Sequence, residues 1–199
     1  MQYMFWHASA FDEDIGSWDT ARVTDMSSLF ERAETFDRDV GSWDTSRVTK
    51  MTNLFYDARA FDRDLGAWDT SQVTTMQAAF DGAERFNRDI GAWDTASVTD
   101  ASAMFYYATA FDQSIGAWDT SKGTAMDYMF YDARAFNRDV GSWDVARVRD
   151  MSNMFYRAST FDQDLGWCVS SSVLASSFAT SSGCAVADCG VTFSPACAA

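Results

Sequence analysis

The residues best equipped for chemistry are aspartates, and they recur at one fixed interval. A first row holds Asp12, Asp37, Asp62, Asn87, Asp112, Asn137 and Asp162. Two places on, a second row holds Asp14, Asp39, Asp64, Asp89, Ser114, Asp139 and Asp164. A third holds Asp19, Asp44, Asp69, Asp94, Asp119 and Asp144. Carboxylate oxygens at this density are what a hard divalent cation wants, so Asp14, Asp39, Asp64, Asp89, Asp139 and Asp164 are the candidate metal ligands and calcium the candidate ion. The competing role is structural, because short Asp and Asn side chains accept backbone hydrogen bonds at turns. Asp alternates with Asn in the first row, which keeps a side-chain oxygen but not a charge. That favours the structural role there and in the third row. Arg38, Arg63, Arg88 and Arg138 sit between the first two rows and can neutralise part of them. No EF-hand loop and no Gly-Gly-x-Gly-x-Asp nonapeptide occurs.

Catalysis needs a unique constellation, and this chain offers few unique places. His7 is its single histidine, which excludes most His-based zinc sites and His-dependent triads. No nucleophile elbow, P-loop or G-x-G-x-x-G is present, and paired carboxylates occur throughout the repeated part, so the chain is expected not to be an enzyme. Rows of threonine, Thr20 to Thr120 and Thr24 to Thr124, suit turns and caps better than a flat ice-binding array. Tyr56, Tyr106, Tyr107, Tyr131 and Tyr156 are the expected partner contacts, since tyrosine is favoured where an apolar body meets a polar rim.

Those rows exist because the whole chain repeats. Phe11 to Phe161 and Phe5 to Phe155 recur every 25 residues and together hold 14 of the 16 phenylalanines. Trp18 to Trp143, Gly16 to Gly166 and Ala8 to Ala158 follow the same interval, without insertion, to about residue 166. Repetition of this kind means that each unit is one coil stacked on the next, sharing a continuous core. At roughly 4.8 Å per coil the stack would be about 35 Å long. Met26, Leu29, Phe30 and Ala33 fall at i, i+3, i+4 and i+7, the spacing of a helix face, and predict a short helix near 25–33 and its equivalents. Thr24 or Asp25 is its expected N-cap. The segment from Phe36 to Trp43 is expected to form a short strand followed by a Gly-led turn. The expected class is therefore an α/β repeat solenoid with one short strand and one short helix per coil. Three small residues, Ala79, Ala101 and Gly123, replace larger ones in adjacent coils and could leave a dent.

Two domains are expected: a solenoid of about seven coils over 1–167, the first one partial, and a cap over 168–199. Cys168, Cys184, Cys189 and Cys197 all lie in that cap and predict two disulfides, with three pairings open. Disulfides place the chain in an oxidising compartment, extracellular or at a cell surface. Met1 falls at the phase of Met26, so the chain is expected to begin inside a coil, as part of a longer chain or assembly. A net charge of −14 opposes nucleic acid and anionic membrane surfaces, and no apolar run is long enough to span a bilayer.

The unit V-T-D-M-S-x-M-F-Y-x-A-x-A-F-D-x-D-I-G-x-W-D-T-S resembles the 25-residue repeat of mycoplasma surface lipoproteins, a group of unknown function that also occurs in large surface proteins of microalgae. That repeat is similar in turn to BspA-like leucine-rich repeats, with Met26, Leu29 and Phe30 matching the apolar helix face and Phe36 the strand-opening position. The resemblance covers about residues 1–167. It implies a right-handed, leucine-rich-repeat-like solenoid displayed at a surface, binding protein or glycan, with no catalytic residues and no cofactor. Two alternatives stand beside that function: a structural subunit of a larger assembly, such as a surface fibre or a peripheral piece of a membrane complex, and calcium-dependent adhesion through the second aspartate row.

Overall fold

The computed structural model describes residues 1–184 and 187–197. Its coils stack in register. Parallel bridges join Asp25 to Lys50, Lys50 to Thr75, and so on through Asp100, Ala125 and Asp150 to Leu174. Bonding between coils is dense beside each bridge. The N–H groups of Met26, Ser28, Phe30 and Arg32 donate to the carbonyls of Lys50, Thr52, Leu54 and Tyr56 at 2.6 to 3.0 Å.

These bonds overturn the expected α/β leucine-rich-repeat-like architecture. No α-helix exists among the described residues. In a helix every N–H serves its own segment, whereas here alternate ones leave for the next coil. Those between them close tight turns: Leu29 N–H donates to Met26 C=O and Ala33 N–H to Phe30 C=O. Ser28 and Arg32 adopt positive φ of 54° and 58°, and the pair recurs at Asn53 and Asp57, Ala103 and Tyr107, and Asn153 and Arg157. A run of turns with a left-handed residue every fourth place buries Met26, Leu29, Phe30 and Ala33 together, so it copies the helical spacing without the helix.

Spacing explains why the turns win. Phe30 and Phe55 stack with centroids 5.3 Å apart, and Phe36 and Phe61 with centroids 5.9 Å apart. A helix about 10 Å across would hold successive coils too far apart for such contact, whereas hydrogen-bonded extended chains lie about 4.8 Å apart. Two phenylalanine columns run the length of the stack, and within a coil their members touch at about 4 Å, as Phe55 and Phe61 do at 3.9 Å. Trp43, Trp68, Trp93, Trp118 and Trp143 lie buried beside them. Each indole N–H donates to a carbonyl of the preceding coil, Trp68 to Val40 at 3.0 Å for example. Thr20, Thr45, Thr70, Thr95 and Thr120 are also buried and donate to the carbonyls of Asp44, Asp69, Asp94, Asp119 and Asp144.

The expected strand from Phe36 to Trp43 does not form either. Its place between coils is taken by side chains. Asp37 N–H is bonded by the Asp12 carboxylate, not by a backbone carbonyl, at 3.0 Å. Gly41 lies beside it, where an added Cβ would come within 2.6 Å of the Asp64 carbonyl.

Near the C-terminal end the period shortens by one residue. Trp167 directly follows Gly166, whereas Ser142 separates Gly141 from Trp143. Trp167 thereby reaches the tryptophan place, buried and donating to Gly141 C=O. Coil-to-coil bonding continues beyond it, with Met151, Asn153, Phe155 and Arg157 donating to Leu174, Ser176, Phe178 and Thr180. Phe178 then turns its ring across the column, at 80° to Phe155 and 65° to Trp167. Disulfides Cys168–Cys197 and Cys184–Cys189 and a two-residue parallel pairing of β1 (Cys168–Val169) with β2 (Thr192–Phe193) tie this end together.

Candidate functional site

Each aspartate row has a distinct backbone duty. In the second, Asp14, Asp39, Asp64, Asp89 and Asp139 accept the N–H two residues on, from Gly16, Gly41, Gly66, Gly91 and Gly141, at 2.8 to 3.1 Å. Asp164 lies against Gly190 of the cap, whose missing side chain makes room for it. The third row does the same locally, as Asp44 does for Ser46. Where a serine follows, at Asp44, Asp69 and Asp119, its hydroxyl and N–H hold the carboxyl below its usual range. The first row works between coils: Asp12, Asp37, Asp62, Asn87, Asp112 and Asn137 each accept the N–H 25 residues on.

Arginines from the next coil lie over the first row. Arg63 pairs with Asp37 and Arg88 with Asp62, both at 2.6 Å. Asp39 and Asp64, two of the expected calcium ligands, share one shallow hollow with Asp62, Arg63 and Arg88, so those two carboxylates are interleaved with guanidinium groups. Among the described residues no group of three or more His, Cys, Asp or Glu is placed to hold a metal ion.

The tyrosines named as partner contacts mostly gather on one edge. Tyr106 and Tyr131 stack at 4.6 Å, and Tyr131 and Tyr156 at 4.8 Å. Tyr107 meets Tyr106 edge-on at 4.7 Å. Tyr128, which the sequence reading passed over, joins them at 5.9 Å from Tyr131; its sign in the sequence was only that it stands near the others along the chain. The Arg157 guanidinium lies 5.4 Å from the Tyr156 ring centre. Burial and the neighbouring phenols push Tyr106 up to about 12, so its hydroxyl is uncharged at neutral pH. Tyr56 stands apart, separated from Tyr106 by the coil that carries Asp81.

Two further features lie apart from the tyrosines. Ala101 and Gly123 do line a small gap of about 20 Å³ beside Trp118 and Trp143, and the Met126 methyl fills the place a side chain at Gly123 would take. Lys122, Arg147 and Arg149 line an open hollow of about 630 Å³ with Thr99, Thr124, Ser170 and Ser172. In the sequence these cations were hidden by the acidic total. His7 is exposed, at a left-handed turn position.

Stacked coils, backbone-bonded aspartates and a disulfide-tied end define a repeat protein whose regular parts are architecture. The chain belongs to the family described as Mycoplasma protein of unknown function, DUF285, whose model matches residues 1–92 and again 74–185. No curated protein and no solved structure matches it. Two disulfides fit an oxidising environment, and among the described residues no helix is long and apolar enough to cross a membrane.

Proposed function

We propose that the chain is a non-catalytic recognition module of an extracellular or cell-surface protein, binding a protein partner through its tyrosine edge. The observation that carries this reading is the stacked run Tyr106, Tyr131 and Tyr156, flanked by Tyr107 and Tyr128, which are 37% and 38% exposed. Stacking fixes these rings in advance, so little rotamer entropy is lost when a partner covers them. Peptide-display selection on the folded chain tests it. Binders should lose at least about tenfold in affinity for Tyr131→Ala and Tyr156→Ala and keep it for Gln163→Ala on the aspartate side. Binders that map to all faces alike would overturn the reading.

Assembly is supported by a different observation. At the N-terminal end Tyr3, Met4, Trp6 and Trp18 are 39% to 59% exposed, an apolar surface that a further subunit could cover. A sedimentation coefficient that rises with concentration, and stops rising in Trp6→Ser with Trp18→Ser, is the outcome expected of that reading.

A further inference from the structure

One row of the edge reads Trp6, Glu31, Tyr56, Asp81, Tyr106, Tyr131 and Tyr156. Acids interrupt it twice, and the two are treated differently. Glu31 is engaged, accepting the Trp6 indole N–H at 3.1 Å and the Asn53 amide at 3.3 Å. Asp81 has no hydrogen-bond or ion-pair partner for its side chain among the described residues. Beside it Gly82, at a φ of 68°, adds no side chain. The result is a cleft of about 590 Å³ lined by Tyr56, Asp57, Asp81, Glu84, Tyr106 and Tyr107 and also by Arg59 and Arg134.

The other charges of the cleft are already matched. Asp57 lies 3.7 Å from Arg32 and 3.6 Å from Arg59, and Glu84 lies 3.7 Å from Arg59. Arg134 is held by Asp132 at 2.6 Å. Asp81 alone is left over, at the point where the row lacks a ring. Since rings one coil apart are in stacking contact, rings two coils apart leave room for one further flat group.

We propose that this gap receives a guanidinium group, the arginine side chain of a protein partner, which pairs with Asp81 beside the rings of Tyr56 and Tyr106. The proposal rests on the edge-recognition reading and narrows it to one anchor. A guanidinium is flat, always charged and weakly hydrated, so it suits a slot between rings better than an ammonium does. The molecule itself makes a contact of this kind, with the Arg157 guanidinium over the Tyr156 ring. Burial and the nearby Asp57 carboxylate push Asp81 up to about 7, as befits a carboxylate without its counter-cation. Asp57, Glu84, Arg59, Arg134 and the three phenols are the charged and titratable groups that line the cleft with it. A bound cation favours the ionised form, so binding strengthens as pH rises through about 7.

The test titrates isotope-labelled chain with acetyl-Gly-Arg-Gly-amide and with its lysine and citrulline counterparts. Amide shifts should centre on Tyr56, Gly82 and Tyr106, with the arginine peptide bound about tenfold more tightly than the citrulline one. Asp81→Tyr supplies the ring that the row lacks; it should keep the melting temperature and lose the binding. Equal binding of arginine and citrulline peptides, unchanged binding to Asp81→Tyr, or shifts at these residues with a neutral trisaccharide but not with arginine would overturn the proposal. If the peptides fail while display-selected binders still depend on Tyr131, the anchor alone is wrong; loss of both outcomes removes the edge reading as well.

Discussion

Gln113 sits on Asn87 as Arg88 sits on Asp62. The Gln113 amide donates to the main-chain and side-chain oxygens of Asn87 at 3.0 and 2.8 Å, and Arg88 addresses the same two oxygens of Asp62 at 3.0 and 2.6 Å. The rule holds at six rungs: Asp12, Asp37, Asp62 and Asp112 carry arginine, while Asn87 and Asn137 carry glutamine. Charge is matched rung by rung, and the row behaves as a ladder that sets coil register.

That pairing predicts a rescue. Asp62→Asn and Arg88→Gln alone each leave a mismatched rung and should lower stability slightly. Together they rebuild the rung seen at Asn87 and Gln113, and stability should return. The pair is exposed, so the coupling should be about 0.5 kcal/mol and shrink with salt. Denaturant unfolding of the four proteins checks it, and strictly additive losses would refute the pairing rule.

A second substitution separates turn from helix. Ala103 sits at a φ of 54°, a conformation that costs an L-residue about 1 kcal/mol and costs glycine almost nothing. Ala103→Gly should therefore stabilise the chain by roughly 0.5 to 1 kcal/mol, less the entropy of glycine in the unfolded chain. In a helix the same change would cost about 1 kcal/mol. A clear loss on thermal or chemical unfolding would contradict the stacked turns.

Much of this was legible in the sequence, and the error is instructive. The 25-residue interval fixes which residues stack, and Phe30, Phe55 and Phe80 do so. Met26, Leu29, Phe30 and Ala33 are buried as their spacing implied. What misled is that a left-handed residue every fourth place gives nearly the periodicity of a helix. Neither Ser28 nor Arg32 advertises positive φ, because asparagine, aspartate and glycine occupy those phases only in some coils. Asp81 was equally hidden: its meaning lies in the tyrosines one coil above and below.

The cap gives a third expectation. Cys168–Cys197 spans 29 residues and Cys184–Cys189 spans 5. Closing the longer loop restricts the unfolded chain more, by about 3 to 4 kcal/mol against about 2 for the shorter. Replacing Cys168 and Cys197 with alanine should lower the melting temperature more than replacing Cys184 and Cys189. It should also expose Phe178, read as increased binding of a hydrophobic dye. The opposite order of melting temperatures would show that the longer bridge does not hold the cap on the coils.

Asp81 supplies the pH dependence. Its folded-state value is raised, first by burial and then by Asp57, so between about 4 and 7 the folded chain holds a proton that the unfolded chain has released. Stability from this group is fully present below about 4 and is lost as pH rises through about 7. Asp57, Glu84, Arg59, Arg134, Tyr56, Tyr106 and Tyr107 line the same cleft. Asp44, Asp69 and Asp119, held low by their serines, act in the opposite sense, losing stability only as pH falls below about 4. Asp81→Asn removes the first effect and leaves the second. Its stability relative to the unaltered chain should therefore rise steadily from pH about 4 to pH about 8, measured by urea unfolding at each pH. Parallel curves across that range would mean that Asp81 is solvated like its neighbours and that the cleft holds no unmatched charge.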